Sequence, residues 1–196
     1  MKKRKLALIF MLAASLCLSA CVEKEEENDS EEKTELGFPT GEDAVNQSKK
    51  ALETLTKQAE DRDAQRNELI EKNRVDLAEA VVLSADQVDL KVKGYSVITW
   101  NSFGEDERQI YLIFDYTNKA EDDSIYGSLA DIKAYQDGVE LITAPYIHDD
   151  LITAIRPNAT IELMTAYTLR NDDSDVLINL TELNNHQNVE HTIKIK

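Results

Sequence analysis

Residues 109–118 read QIYLIFDYTN, a run that is apolar on both faces when its side chains alternate as they do in a β-strand. A strand with one face in water alternates apolar with polar. This one does not, so the spacing predicts a central strand covered from both sides. Working outward, VDLKVK at 88–93 sets Val88, Leu90 and Val92 on one face, and Gly94 then permits a bulge or a change of face before YSVITW. DIKAYQDGVEL holds Asp137-Gly138, a tight-turn pair between two short strand-like runs. TIELMTAYTLR places Ile161, Leu163, Tyr167 and Leu169 on one side, and DVLINLTEL and VEHTIKIK add two more alternating runs. About six short strands with no helix-length amphipathic segment among them predict a mainly β fold, an antiparallel sandwich over residues 86–196.

The period upstream is different. GFPTGEDA supplies a stop and then acids for a first helical turn, and no Pro or Gly follows from Glu42 to Ala80. Val45, Leu52, Leu55 and Ala59 recur at helical spacing, as do Leu69, Ile70 and Leu77. A long charged helix is therefore expected over 42–83. Its apolar stripe is interrupted by Arg62 and Arg66, where a heptad would continue with apolar residues, so a coiled coil is not indicated. A charged stalk, free or lying against the sandwich, is the plainer reading, and a partner-binding helix is the alternative. The oligomeric state is not fixed by this pattern.

At the other end, Lys2, Lys3, Arg4 and Lys5 precede an apolar stretch from Leu6 to Ala20, the charged and apolar regions of a signal peptide over 1–20. The stretch is shorter than the roughly 20 residues needed to span a bilayer. Leu18, Ser19 and Ala20 before Cys21 resemble the bacterial lipobox, an aliphatic residue and two small ones before a cysteine. That resemblance implies cleavage between Ala20 and Cys21 and a diacylglyceryl thioether on Cys21. An ordinary signal peptide cut near Ala20 and releasing a soluble protein is the alternative. Acyl chains contribute about 0.8 kcal/mol per buried methylene, so two or more chains hold where one does not. The expected place is the extracytoplasmic face of the cell membrane.

Cys17 and Cys21 are the two cysteines of the chain. With one lost in the signal and one lipidated, no thiol is left in the head for a disulfide, a redox couple, a zinc thiolate site or a nucleophile. The chain carries 22 basic and 38 acidic residues; without the four bases of the signal the balance is 18 to 38, a charge of −20. That excess disfavours nucleic acid and anionic lipid surfaces as partners. VEKEEENDSEEKTE at 22–35 buries too little apolar surface to offset its ordering entropy, so 21–41 is expected to be a disordered, self-repelling tether.

IYLIFDYTNKAEDD, AYQDGVEL and IRPNATIELMTAYTLRN, in that order, resemble an uncharacterised immunoglobulin-like domain family of Firmicute surface lipoproteins. The recurring features are a strand ending in aromatic-x-Asn, a Gln-Asp-Gly-x-x-Leu turn and a strand ending near Tyr-x-Leu. The resemblance spans about 88–190 and implies an immunoglobulin-like sandwich at the cell surface, with no activity attached. Leu169 stands where a second cysteine would follow Tyr167 by two residues, and Tyr167 is a candidate for a tyrosine-corner hydrogen bond. Trp100 is expected in the core, with an exposed ligand platform as the alternative.

No catalytic or cofactor signature stands out. GxSxG and a phosphate-binding glycine loop are absent from the chain, and its histidines are His148, His186 and His191. His148, beside Asp149 and Asp150, is a conceivable metal ligand but lacks a spaced partner histidine. NDDSD at 171–175 and EDD at 121–123 lack the alternating ligands, central Gly and terminal Glu of a calcium loop, and turn chemistry accounts for both. The reading is a non-enzymatic lipoprotein, without metal or cofactor, whose head recognises an envelope or surface protein or a small ligand. The alternative is an enzyme or enzyme accessory acting on envelope polymers through Asp149-Asp150 or Asp172-Asp173. Cys21→Ala is expected to leave the product unlipidated and shift it from the membrane fraction to the medium. Equal release of the unaltered chain would overturn the anchor.

Overall fold

The structure is a computed structural model that describes residues 41–101, 105–144 and 149–195. The signal peptide expected over 1–20, the lipidation expected at Cys21, the tether expected over 21–41 apart from Gly41, and His148 lie outside these. Two compact units divide the chain, 1–47 and 48–196. Of the first, only the start of a helix is described. That helix, α1, runs Gly41–Lys72, about 48 Å at 1.5 Å per residue. It ends where Asn73 donates its backbone N–H (3.1 Å) and its Nδ2 (2.8 Å) to the Leu69 carbonyl, a cap on the last turn.

The helix expected over 42–83 is thus shorter, because Arg74–Ser84 forms strand β1. Val75, Val81 and Val82 are β-branched and fit a pleated surface, and the partner strand β2 (Val88–Asn101) supplies a ladder that the helix lacks. Residues 77–80, the Leu-Ala-Glu-Ala that reads as helix, fall outside that ladder: pairing jumps from Asp76↔Gly94 to Val81↔Val92. Local propensity loses to strand pairing and survives as an irregularity.

The remaining strands are β3 (Asp106–Asn118), β4 (Ala130–Gln136), β5 (Val139–Glu140), β6 (Thr160–Thr168), β7 (Val176–Glu182) and β8 (Asn188–Ile193). They form two antiparallel four-stranded sheets, ordered β1-β2-β3-β6 and β5-β4-β7-β8. The pairs β3–β6, β4–β7 and β7–β8, with β5 beside β4, match the B–E, C–F, F–G and C–C′ pairs of an immunoglobulin-like sandwich. The inter-sheet core sets Leu90, Leu112, Phe114, Leu163 and Tyr167 against Ile132, Ile178, Leu180 and Ile193. Each such side chain contributes about 1.5–3 kcal/mol on burial.

Gly94 sits at the bulge. On β2, Val92 pairs with Phe114 and Gly94 with Ile113, leaving Lys93 as the extra residue. Before it Leu90 and Val92 face the inter-sheet core; after it Tyr95 and Val97 do, and Ile98 turns to the outer face. There Ile98, Tyr111 and Ala166 form a second cluster with Ile70 of α1, flanked by Leu69, Met164 and Trp100. The two apolar faces of QIYLIFDYTN therefore have two covers: the opposite sheet over Ile110, Leu112, Phe114 and Tyr116, and the last turn of α1 beside Tyr111. Among the described residues, the Ser96 hydroxyl, also buried in β2, has no hydrogen-bond partner.

The Tyr167 hydroxyl donates to the Ile132 carbonyl, joining β6 to β4 across the sandwich. This corrects the tyrosine-corner expectation, since the acceptor lies on the opposite sheet rather than a few residues upstream. The Ile132 N–H in turn donates to Tyr126 Oη (3.1 Å), which donates to Asp131 Oδ1 (3.3 Å). Phe114 and Tyr116 pack on the Tyr126 ring at centroid distances of 5.1 and 6.2 Å. Burial pushes both the Tyr126 and the Tyr167 phenol well above the ordinary tyrosine range.

Two outcomes are expected. A Cβ at Gly94 would stand 2.7 Å from the Val75 carbonyl oxygen, so Gly94→Ala must push β1 off β2. It should cost about 2 kcal/mol or more in urea unfolding, whereas the same change at a compatible glycine site stabilises by about 0.4–1 kcal/mol. Because both phenols are held neutral, their contribution is complete below the unfolded value of about 10 and is lost as pH rises above it. Urea midpoints should fall beyond about pH 10, and less steeply in Tyr126→Phe; identical slopes would refute the assignment.

Candidate functional site

The polar residues of the family-like motifs sit at strand ends and hold loops. Asn118, fully buried at the end of β3, donates through Nδ2 to the carbonyls of Asp122 and Ile155 (both 2.8 Å) and accepts from the Ala120 N–H at 2.9 Å. Gln136, fully buried at the end of β4, accepts from the Arg170 N–H at 2.8 Å and donates to the Ser174 carbonyl at 2.8 Å. Asp137 and Gly138 make the turn into β5 at positive φ, 51° and 76°. Only residues that tolerate the left-handed region fit there. The Asp137 carboxylate then accepts from Asn171 Nδ2 and Ser174 Oγ, both 3.0 Å.

The acidic loops follow the same logic. In NDDSD, Asn171 Oδ1 accepts from the N–H groups of Asp173 (3.1 Å) and Ser174 (2.8 Å), a side-chain turn that folds the loop on itself. Asp172 Oδ1 meets Arg108 Nη1 at 2.7 Å. In EDD at 121–123, the Asp122 carbonyl is the acceptor for Asn118. Asp149 and Asp150 open a short 3-10 turn, Asp149–Ile152. Glu182, buried at the end of β7, accepts from the N–H groups of Asn184 (3.0 Å) and Asn185. His186 lies exposed in the turn beyond it at φ 57°, and His191 lies half-buried on β8. Among the described residues, no group of three or more His, Cys, Asp or Glu is placed to hold a metal ion.

Trp100 stands half-buried at the end of β2, between the expected core and the alternative platform. Its ring carries the guanidinium carbons of Arg62 and Arg66, each 5.7 Å from the centroid, and Arg62 also donates to the Asn101 carbonyl. The two arginines that interrupt the heptad are thus part of the helix's contact with the sheet, beside Leu69 and Ile70. Spaced four apart, they share one helix face. Sequence reasoning saw that spacing but had no signal for the aromatic partner.

Beyond the two arginines the apolar stripe resumes with less cover. Leu69 and Ile70 belong to the outer cluster, whereas Leu52 is half-buried and Leu55 is 58% exposed. Among the described residues no helix is long and apolar enough to cross a membrane. A separate cleft of about 230 Å³ opens at the β1 end of the sandwich, lined by Asn73, Val75, Tyr95, Val97, Arg108 and Ile195. Arg108 was not singled out from the sequence; its neighbours there come from distant strands. Chemically, the described surface offers one apolar helix stripe and one amphipathic cleft, while the motif side chains are spent on loop geometry.

Solved structures with a similar strand arrangement include a candidate lipoprotein of Staphylococcus aureus, with 17% identity and a TM-score of 0.47 over 62% of this chain and 93% of that one. An uncharacterised β-sandwich protein of Clostridium difficile has 13% identity and a TM-score of 0.45 over 60% and 92% of the two chains. A conserved hypothetical protein of Bacillus anthracis has 11% identity and a TM-score of 0.46 over 62% and 98%. No curated protein matches. The family described as "Domain of unknown function (DUF5067)" matches residues 78–182, from within β1 to the end of β7. That is more than half of the chain and takes in Gly94, Asn118, Gln136 and Tyr167, and the chain belongs to this family.

Proposed function

We propose that this protein is a lipoprotein of the extracytoplasmic membrane face, anchored through Cys21, whose head and helix dock an envelope or surface protein without catalysing a reaction. The observation that carries the reading is the apolar stripe of α1: it is docked at Leu69 and Ile70 and bare at Leu55. An exposed leucine on a helix alone is ordinary. A stripe that is covered at one end and resumes in the same phase beyond two arginines suits a helix laid into a partner's groove. The anchor rests on Leu18-Ser19-Ala20-Cys21, and the acid excess points to a partner with a basic rim. In the alternative through acidic loops, the exposed Asp172 carboxylate is paired with Arg108 at 2.7 Å.

Crosslinking the full-length lipoprotein on intact host cells, followed by mass spectrometry, tests this. One dominant partner is expected, lost in Cys21→Ala and reduced about tenfold or more in the Leu52→Glu/Leu55→Glu variant, the scale of about 1.4 kcal/mol or more from two apolar contacts. Absence of any partner above background, or equal capture by the leucine variant, would overturn the helix as the docking element.

A further inference from the structure

The cleft at the β1 end belongs to neither the helix stripe nor the acidic loops, and its walls come from the bulge. Because Lys93 shifts the face of β2, Tyr95 and Val97 point inward where the second sheet has already run out: β8 stops at Ile193. Val75, paired with Tyr95 on β1, forms part of the same wall and is 46% exposed. Ile195, nearly fully buried, closes the opposite side, and the segment carrying it is pinned by Tyr95 Oη donating to the Lys194 carbonyl at 3.1 Å. Polar as well as apolar surface is left facing a gap of about 230 Å³.

Among the described residues that line the gap, one carries a charge. Arg108, paired with Thr99 two residues beyond Val97 on the neighbouring strand, lines the cleft, and its guanidinium is held by Asp172 Oδ1 at 2.7 Å. The Asp172 side chain is 71% exposed, so this pair stands at the solvent boundary and contributes little by itself. A guanidinium presents a planar fork suited to a carboxylate, and one carboxylate exchanges for another without leaving the cation unpaired. The volume lies below the 300–1,000 Å³ typical of drug-sized sites, which restricts the occupant to about one ring or a short branched chain.

We propose that this cleft binds a small monocarboxylate with an apolar body, the body against Val75, Tyr95, Val97 and Ile195 and the carboxylate on Arg108 in place of Asp172. Asp172 is then an internal competitor that keeps the arginine paired when the cleft is empty. Neutral and cationic analogues of the same shape lose the exchange, since they leave Arg108 with Asp172 and add nothing to it.

The test is an NMR titration of the full chain carrying Cys21→Ala, which keeps it free of lipid, with benzoate, benzamide and benzylamine as probes. Benzoate is expected to shift the amides of Val75, Val97, Arg108 and Asp172 saturably at about millimolar concentration, the affinity a ligand of that size ordinarily reaches. Benzamide and benzylamine should bind about tenfold more weakly or not at all. Arg108→Gln should abolish that preference, and Asp172→Asn should tighten benzoate several-fold by removing the competitor. Val97→Trp, which fills the cleft, should remove binding while the rest of the spectrum stays dispersed. Shifts that do not saturate, equal response to all three probes, or weaker benzoate binding in Asp172→Asn would overturn the proposal. The helix stripe is a different surface, so partner capture on cells is unaffected by the result.

Discussion

The hydrogen bond from the Tyr167 hydroxyl to the Ile132 carbonyl spans the two sheets of a sandwich that has no cysteine to staple them. A native disulfide in a small domain contributes about 2–5 kcal/mol, whereas a neutral hydrogen bond contributes about 1. The tyrosine does not replace the lost stability, which must come from the core packing of Leu112, Phe114, Ile132 and Ile178 and their neighbours. What it supplies is alignment. With Tyr126 accepting from the N–H of the same Ile132, both backbone polar groups of that residue are engaged by phenols, which fixes β4 against β6 and leaves little freedom for slippage.

The loops repeat the device at the strand ends. Asn118, Gln136 and Glu182 each end a strand with a buried side chain whose partners are backbone groups of a loop. Buried polar groups are costly unless satisfied, so each holds its loop in one conformation. The motifs by which the chain resembles its family are thus solutions to loop geometry. A pattern of this kind identifies a scaffold and is silent on its ligand.

This division explains what was legible in the sequence. QIYLIFDYTN announced two covered faces through composition alone, and Gly94 announced a bulge, because strand alternation is a local property. The identity of the second cover was not local: it is Ile70 and Leu69, some forty residues upstream along the chain. β1 was hidden because Leu-Ala-Glu-Ala favours helix in isolation and only the partner strand reveals otherwise. Trp100 read as core by residue type, yet its two arginine neighbours come from an element whose docking no periodicity encodes. The cleft was the least legible, since Asn73, Arg108 and Ile195 meet only through the bulge and the shortness of β8. Cys21, the clearest signal of all in the sequence, lies outside the described residues.

The way α1 enters the sandwich has a mechanical consequence. Tension travelling along the chain from its N-terminal side reaches the fold at Asn73 and loads β1 from its first residue, Arg74, the pair farthest from the β1–β2 turn. The contacts of Ile70, Leu69 and the arginine-clasped Trp100 stand ahead of that first rung and take the load before it does. The helix end is therefore the first contact that such a load would meet.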